Sequence, residues 1–304
     1  MSYVIKTHQL SKKYGTHDAL RPTDFVLKKG EICALIGKNG AGKSTLIKLI
    51  ANHIHPSSGT LELFGTLDKP HQELRKRIGF FVDTTVLLSH LTARQNLEYV
   101  AIQTGKVDFE HIHHILKQVG LDKETKKVKA YSLGMKQRLG IALALLNHPD
   151  VLILDEPING LDVAGIRDFR QLITQLNKEY GMTILISSHI LSELQQIATH
   201  FVFIENGEII ESINKDALLN KAQKAILMKV DQPSKAVQII DRLDHHLDYK
   251  VLEDNTIVIA SSHLNTAQLN ALMWENGVSV SQVQEDVFNL ENYFLQGERG
   301  VHRD

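Results

Sequence analysis

Gly37-Lys38-Asn39-Gly40-Ala41-Gly42-Lys43-Ser44 has the residue types and spacing to capture phosphate. Glycines let successive backbone N–H groups turn inward around an anion, and a helix starting at the end of the run points its positive end at the same spot. Lys43 then reaches the β- and γ-phosphates of a nucleotide, and Ser44, followed by Thr45 in the helix, ligates Mg2+. Charge-assisted hydrogen bonds of this kind contribute about 1.5–3 kcal/mol each. An ordinary glycine-rich turn is the competing explanation. The complete pattern, with a strand before it and a helix after it, argues against that. A second chemical pair, Asp155-Glu156, ends the apolar run Val151-Leu152-Ile153-Leu154. Such an ending is common by itself. Beside a phosphate loop it gains meaning, with Asp155 placed to hold Mg2+ and Glu156 to orient or deprotonate an attacking water. The chemistry expected from these residues is ATP hydrolysis with Mg2+.

Both groups need a rigid support. Ile32-Cys33-Ala34-Leu35-Ile36, Val151-Leu152-Ile153-Leu154 and Thr183-Ile184-Leu185-Ile186 are short unbroken apolar runs, as expected of strands buried on both faces of a parallel sheet. Helix-like stretches alternate with them, so the spacing predicts an α/β layer fold. Residues Thr92 to Asn147 are helix-like, punctuated by Gly105, Gly120 and Gly134, and predict a helical subdomain (about 84–147) inserted into the core. Glu205-Asn206-Gly207-Glu208 predicts a hairpin. Beyond Lys215 the texture changes. Ala225 to Val230 and Thr256 to Ala260 predict strands, Ser234 to Leu243 and Thr266 to Asn276 predict helices, and Val287 to Leu295 predicts a last helix. The β-α-β-β-α-β-α order resembles a small ferredoxin-like module. The expected organisation is an ATPase domain over 1–214 and an accessory α+β domain over 215–304.

Composition sets the bounds. The chain of 304 residues carries a formal net charge of −1, so no global field recruits DNA or an anionic membrane. Lys126, Lys127 and Lys129, and Arg75, Lys76 and Arg77, are the densest basic runs and read as solvated surface; no nucleic-acid partner is expected. The one cysteine, Cys33, cannot form an internal disulfide, which fits a reducing, cytoplasmic compartment. The N-terminus lacks the apolar core of a secretion signal, and no segment reaches the roughly 20 apolar residues of a membrane span. Contact with a membrane is expected to go through a partner.

Tyr131-Ser132-Leu133-Gly134-Met135-Lys136-Gln137-Arg138 stands before the helix that leads into the Asp155 strand. It resembles the signature motif of ABC ATPases in a YSLGM variant, with Ser132 and Gly134 at the matching positions. Taken alone it is a serine N-cap on a helix. Asn159-Gly160-Leu161-Asp162 is similar to the family's D-loop, and Ser187-Ser188-His189 to the segment bearing its switch histidine, His189. Tyr14, after Lys12-Lys13, resembles the aromatic residue that stacks on adenine; a strand-edge tyrosine is the alternative. These motifs, in the family's order, cover residues 1–213. The resemblance implies a head-to-tail dimer in which each ATP lies between the phosphate loop of one chain and the signature of the other. One phosphate loop and one signature per chain agree with that. The run 131–142, Ser187 to Glu193 and the ending Leu290-Glu291-Asn292-Tyr293-Phe294 are similar to ATPases of bacitracin and lantibiotic resistance exporters. That implies export of, or protection from, a peptide antibiotic through a separate membrane permease, docked near Asp83 and the helical region after it, with the chain on the inner face of the cell membrane.

Two positions depart from the family pattern. Asp83 stands where the family's Q-loop carries Gln or Glu; its charged but shorter arm is expected to bind Mg2+, directly or through a water. Ile158 replaces Thr or Phe after Pro157. His111, His113 and His114 cluster on a helix and read as exposed surface in preference to a metal site, since no carboxylate or cysteine completes a ligand set. Two other functions compete. A soluble ABC-type ATPase acting on DNA or ribosomes would carry two cores, a coiled-coil insertion or basic arms. A subunit that binds ATP without splitting it would lack Glu156 and His189.

Overall fold

The computed structural model describes residues 2–67, 72–82, 87–105, 107–221, 224–243, 248–252, 254–260 and 264–287. The chain divides into two compact units, Met1–Lys215 and Asp216–Asp304.

The first unit opens with β1 (Tyr3–Tyr14), β2 (His17–Thr23), β3 (Val26–Lys28) and β4 (Ile32–Ile36), then α1 (Lys43–Ile50), β5 (Ser58–Leu63), β6 (Thr66–Leu67), α2 (Gln72–Arg75) and β7 (Ile78–Phe81). Helices α3 (Ala93–Gln103), α4 (Phe109–Gln118) and α5 (Leu133–Leu145) follow, then β8 (Val151–Leu154), α6 (Val163–Tyr180), β9 (Thr183–Ser188), α7 (Leu191–Leu194), β10 (His200–Glu205) and β11 (Glu208–Asn214). Two sheets result. The central one has six strands in the order β11-β10-β4-β9-β8-β7, parallel except for the edge strand β11. Strands β4, β8 and β9 are buried at every residue, which is why their sequences show no alternation. The other sheet is antiparallel, built around β1, which pairs with β2, β3 and β5. No apolar alternation in the sequence predicts it, because β1 and β2 are polar and half-exposed along much of their length.

The predicted helical segment holds α3, α4 and α5, which pack on one another. Thr92 starts α3 with a reciprocal capping box to Gln95, and Asp108 caps α4 by accepting from the His111 amide. Ile112, Ile115, Leu116 and Val119 recur at helical spacing and are buried, which fixes the inward face of α4. His113 and His114 are exposed as expected. His111 is not: it stacks on His148 with ring centroids 3.6 Å apart, and burial and the neighbouring imidazole push its pKa down. Cys33 is wholly buried, and burial pushes its thiol well up, so it stays protonated.

In the second unit, α8 (Lys215–Lys221) leads into β12 (Lys224–Val230), α9 (Pro233–Leu243), β13 (Asp248–Val251), β14 (Thr256–Ala260), α10 (Thr266–Glu275) and β15 (Val280–Val287). The sheet order is β13-β14-β12-β15, all antiparallel, the arrangement of a ferredoxin-like βαββαβ unit. Ile226, Met228, Ile257 and Ile259 form its core with Ile240, Leu269 and Met273 of the two helices. Val287 ends β15, where the sequence suggested the start of a helix; the rest of that stretch, to Leu295, lies outside the described residues.

Helix α5 lies close against β7. A Cβ on Gly79 would sit 2.2 Å from the Ala144 carbonyl oxygen, a backbone atom that cannot rotate aside. Gly79→Ala is therefore expected to destabilise the first unit by about 1–3 kcal/mol and to lower the thermal midpoint followed by circular dichroism by several degrees. An unchanged midpoint would contradict this close approach.

Candidate functional site

The parallel strands bring their carboxyl ends together at one edge, where open α/β sheets hold ligands. In register, Ile36 lies beside Ser188, and Leu154 beside Ile186. The glycine-rich loop leaves β4, Asp155-Glu156 leaves β8, and Ser187, Ser188 and His189 close β9. Gly37 N donates to the Ser188 carbonyl at 3.2 Å, fastening the loop to its neighbour strand. A Cβ on Gly37 would lie 2.3 Å from the Ile204 carbonyl oxygen, so only glycine fits there.

Helix α1 starts at Lys43 behind Gly42, whose φ of 111° is a left-handed conformation that favours glycine. No side chain caps this helix and no acid lies in its first turn. Its leading N–H groups thus lack a side-chain acceptor, which suits a phosphate. Lys38, Asn39 and Gly40 are exposed, Ala41 and Gly42 are buried, and Ser44 and Thr45 are half-buried. Lys43 is only 4% exposed. Its ammonium donates to the Gly37 carbonyl at 2.5 Å and the Lys38 carbonyl at 3.1 Å. It also lies 3.1 Å from Glu156 Oε1, as an ion pair rather than an aligned hydrogen bond.

Glu156 is the hub. Its other oxygen, Oε2, lies 2.9 Å from His189 Nδ1. Its backbone has φ 48°, left-handed for a residue with a Cβ, and its N–H donates to Ser187 Oγ at 2.8 Å. The same Ser187 hydroxyl donates to Asp155 Oδ1 at 2.6 Å, so one serine holds the Asp155 carboxyl and the Glu156 backbone. No local motif gives Ser187 a role of its own; its place near the end of a wholly buried strand, beside the strand that leads into Asp-Glu, is the signal in the sequence. The oxygen donors of Ser44 and Asp155 are of the kind that suits a hard cation such as Mg2+.

The remaining residues lie elsewhere. Tyr14 is exposed at the β1–β2 turn, with Lys12 Nζ 5.0 Å from its ring centroid. Ser132 caps α5 by accepting from the Met135 amide at 3.2 Å, so the simple N-cap reading is realised. Asp162 caps α6 by accepting from the Gly165 amide at 2.8 Å. Ser132, Gly134, Gly160 and Asp162 line a cavity of about 320 Å3 between these two helix starts. The contacts that join Lys43, Asp155, Glu156, Ser187 and His189 include neither Ser132 nor Gly134. Asp83 lies outside the described residues.

Comparison with known proteins fits this geometry. The sequence profile of the ABC transporter family matches residues 20–159. The bacitracin transport ATP-binding protein BcrA of Bacillus licheniformis is 42% identical over 299 residues, 97% of each chain. The chain belongs to the ABC transporter ATP-binding proteins. It binds and hydrolyses ATP. The lantibiotic transport ATP-binding protein SrtF of Streptococcus pyogenes is 43% identical over 208 residues, covering 68% of this chain and 89% of that protein. Among solved structures, a dimeric ATP-binding cassette in a post-hydrolysis state bound to ADP and Pi superposes with a TM-score of 0.62 at 27% identity, covering 69% of this chain and 98% of that one.

Lys43→Ala removes the buried ammonium at the centre of this cradle. We expect it to abolish most ATP binding in calorimetry while leaving the fold intact; undiminished binding would contradict the loop's assignment.

Proposed function

We propose that this chain is the ATP-hydrolysing subunit of an exporter that removes, or confers immunity to, a peptide antibiotic of the bacitracin or lantibiotic kind. The observation that carries this is the similarity to the bacitracin transport protein, which runs through 97% of both chains and so takes in the second unit as well as the cassette. No helix among the described residues is long and apolar enough to cross a membrane, so a separate permease supplies the path, with this chain on its cytoplasmic side. The soluble alternative, an ABC-type ATPase working on DNA or ribosomes, is not favoured.

Within the site, Gly37 to Thr45 hold the phosphates, with Lys43 as their cation. Ser44 and Asp155, with Asp83 through a water, would hold Mg2+, which supplies charge neutralisation when bound. Glu156 takes the proton of the attacking water, and His189, paired with it, also contacts the γ-phosphate. Tyr14 stacks on adenine. Ser132, Gly134 and Asp162 face the nucleotide held by a second copy, in a homodimer formed with ATP. The cavity that Ser132, Gly134 and Asp162 line between the starts of α5 and α6 supports that reading, as does the dimeric form of the similar cassette. Residues 1–214 form the ATPase domain, and the unit after it is an accessory module for the dimer or the permease.

Glu156→Gln is expected to stop turnover and leave an ATP-bound dimer that persists during size-exclusion chromatography. Turnover at the wild-type rate would remove Glu156 as the base. Permease docking falls to the exposed apolar side chains Tyr99, Ile102 and Phe109 in the helical segment, which are 46%, 66% and 61% exposed. Their joint replacement by serine is expected to abolish bacitracin resistance in cells while the purified chain still splits ATP. Full resistance in that variant would place the docking surface elsewhere.

A further inference from the structure

We propose that Gln137 is a positioning residue that links the signature helix to the loop bearing the hydrolytic glutamate. The inference rests on the roles given above to Glu156 and Ser132. Gln137 lies in α5 shortly after Ser132 and is 5% exposed. Its Nε2 donates to the Asn159 carbonyl at 3.3 Å. A carbonyl only accepts, so the amide nitrogen must face it, and this fixes which way the side-chain amide points. Its Oε1 is buried without a hydrogen-bond partner, and the side chain lines the cavity between the start of α5 and Gly160, Leu161 and Asp162.

The loop it grips begins at Glu156. Asn159 N donates back to the Glu156 carbonyl at 3.2 Å, Leu161 N donates to the Ile158 carbonyl at 3.1 Å, and Asp162 then caps α6. Glu156 itself holds a left-handed backbone at φ 48°, which needs restraint from its surroundings. Gln137 provides restraint from a different helix, three residues beyond the acid. An apolar side chain of the same length would fill the space without leaving an acceptor unmet, so packing alone does not account for a glutamine here. The unmet Oε1 also means that a small shift of loop or helix that brings a donor to it gains a hydrogen bond. Two arrangements of the loop therefore compete. A phosphate drawn onto the start of α5 by the second copy biases one of them, and the bias reaches the Glu156 of the same chain. Each ATP site thereby reports to the other.

The test uses the full chain, with ATP turnover measured against ATP concentration, ATP binding by calorimetry, thermal midpoint, and amide hydrogen exchange over residues 156–162. The variants are Gln137→Met, Gln137→Glu and Glu156→Gln. Gln137→Met is expected to melt no lower than wild type and to bind ATP normally. Its kcat falls by about tenfold or more, its Hill coefficient drops toward about 1, and exchange over 156–162 quickens. Gln137→Glu keeps an acceptor but loses the donor, and should show the same kinetic loss. Wild-type kcat and cooperativity in Gln137→Met, beside an inactive Glu156→Gln, would overturn this inference alone. An active Glu156→Gln would overturn the assignment of the base and this inference with it. If Gln137→Met does not fold, unchanged exchange over 156–162 in Gln137→Glu overturns the proposal and faster exchange upholds it.

Discussion

Everything at the site depends on the lateral register of three buried parallel strands. Strands β4 and β9 end level, Ile36 beside Ser188, and β8 ends two residues short of them, Leu154 beside Ile186, so that Asp155 and Glu156 follow alongside the last residues of β9. Each strand hands over a different chemical group at its carboxyl end: a backbone cradle, a serine and histidine, and a pair of acids. The strands' full burial makes a slip of register costly, because hydrogen-bonded backbone and packed faces would be lost together.

On that platform the charges are arranged to oppose one another at short range. The Lys43 ammonium is held by two carbonyl oxygens and the Glu156 carboxylate, and Glu156 is shared with His189. The Lys43 ammonium is buried while Glu156 and His189 are partly exposed, so the contacts to the ammonium gain most from the shielding. Ser187 ties the neighbouring acid segment to β9. Its hydroxyl holds the Asp155 carboxyl while its oxygen accepts from the Glu156 backbone amide, leaving the Glu156 carboxylate to Lys43 and His189.

Much of this was legible in the sequence because it is local. The glycine run, the apolar strands, the Asp-Glu pair and the Asn206-Gly207 turn are each written within a few consecutive residues. The ferredoxin-like order was readable from alternating strands and helices. What could not be read depends on residues distant in the chain. The antiparallel sheet around β1 pairs segments whose polar, half-exposed sequences carry weak alternation. The link from Ser187 to both acids spans more than thirty positions. His111 looked like helix surface until a second imidazole, His148, was found stacked on it from beyond the next helix. Val287, expected to start a helix, is instead the last residue of β15 because it pairs with Lys224 of β12.

The turn at Asn206-Gly207 does more than join two strands. Gly207 N donates to the Ala41 carbonyl at 2.9 Å, and the Gly207 carbonyl accepts from Arg21 N at 2.7 Å. Main chain alone thus connects the glycine-rich loop, through the tip of an edge hairpin, to the strand that turns back from Tyr14. The glycine-rich loop and that strand are braced against each other like the jaws of a caliper. The gap between them is set by peptide geometry, so it is insensitive to which side chains decorate either jaw.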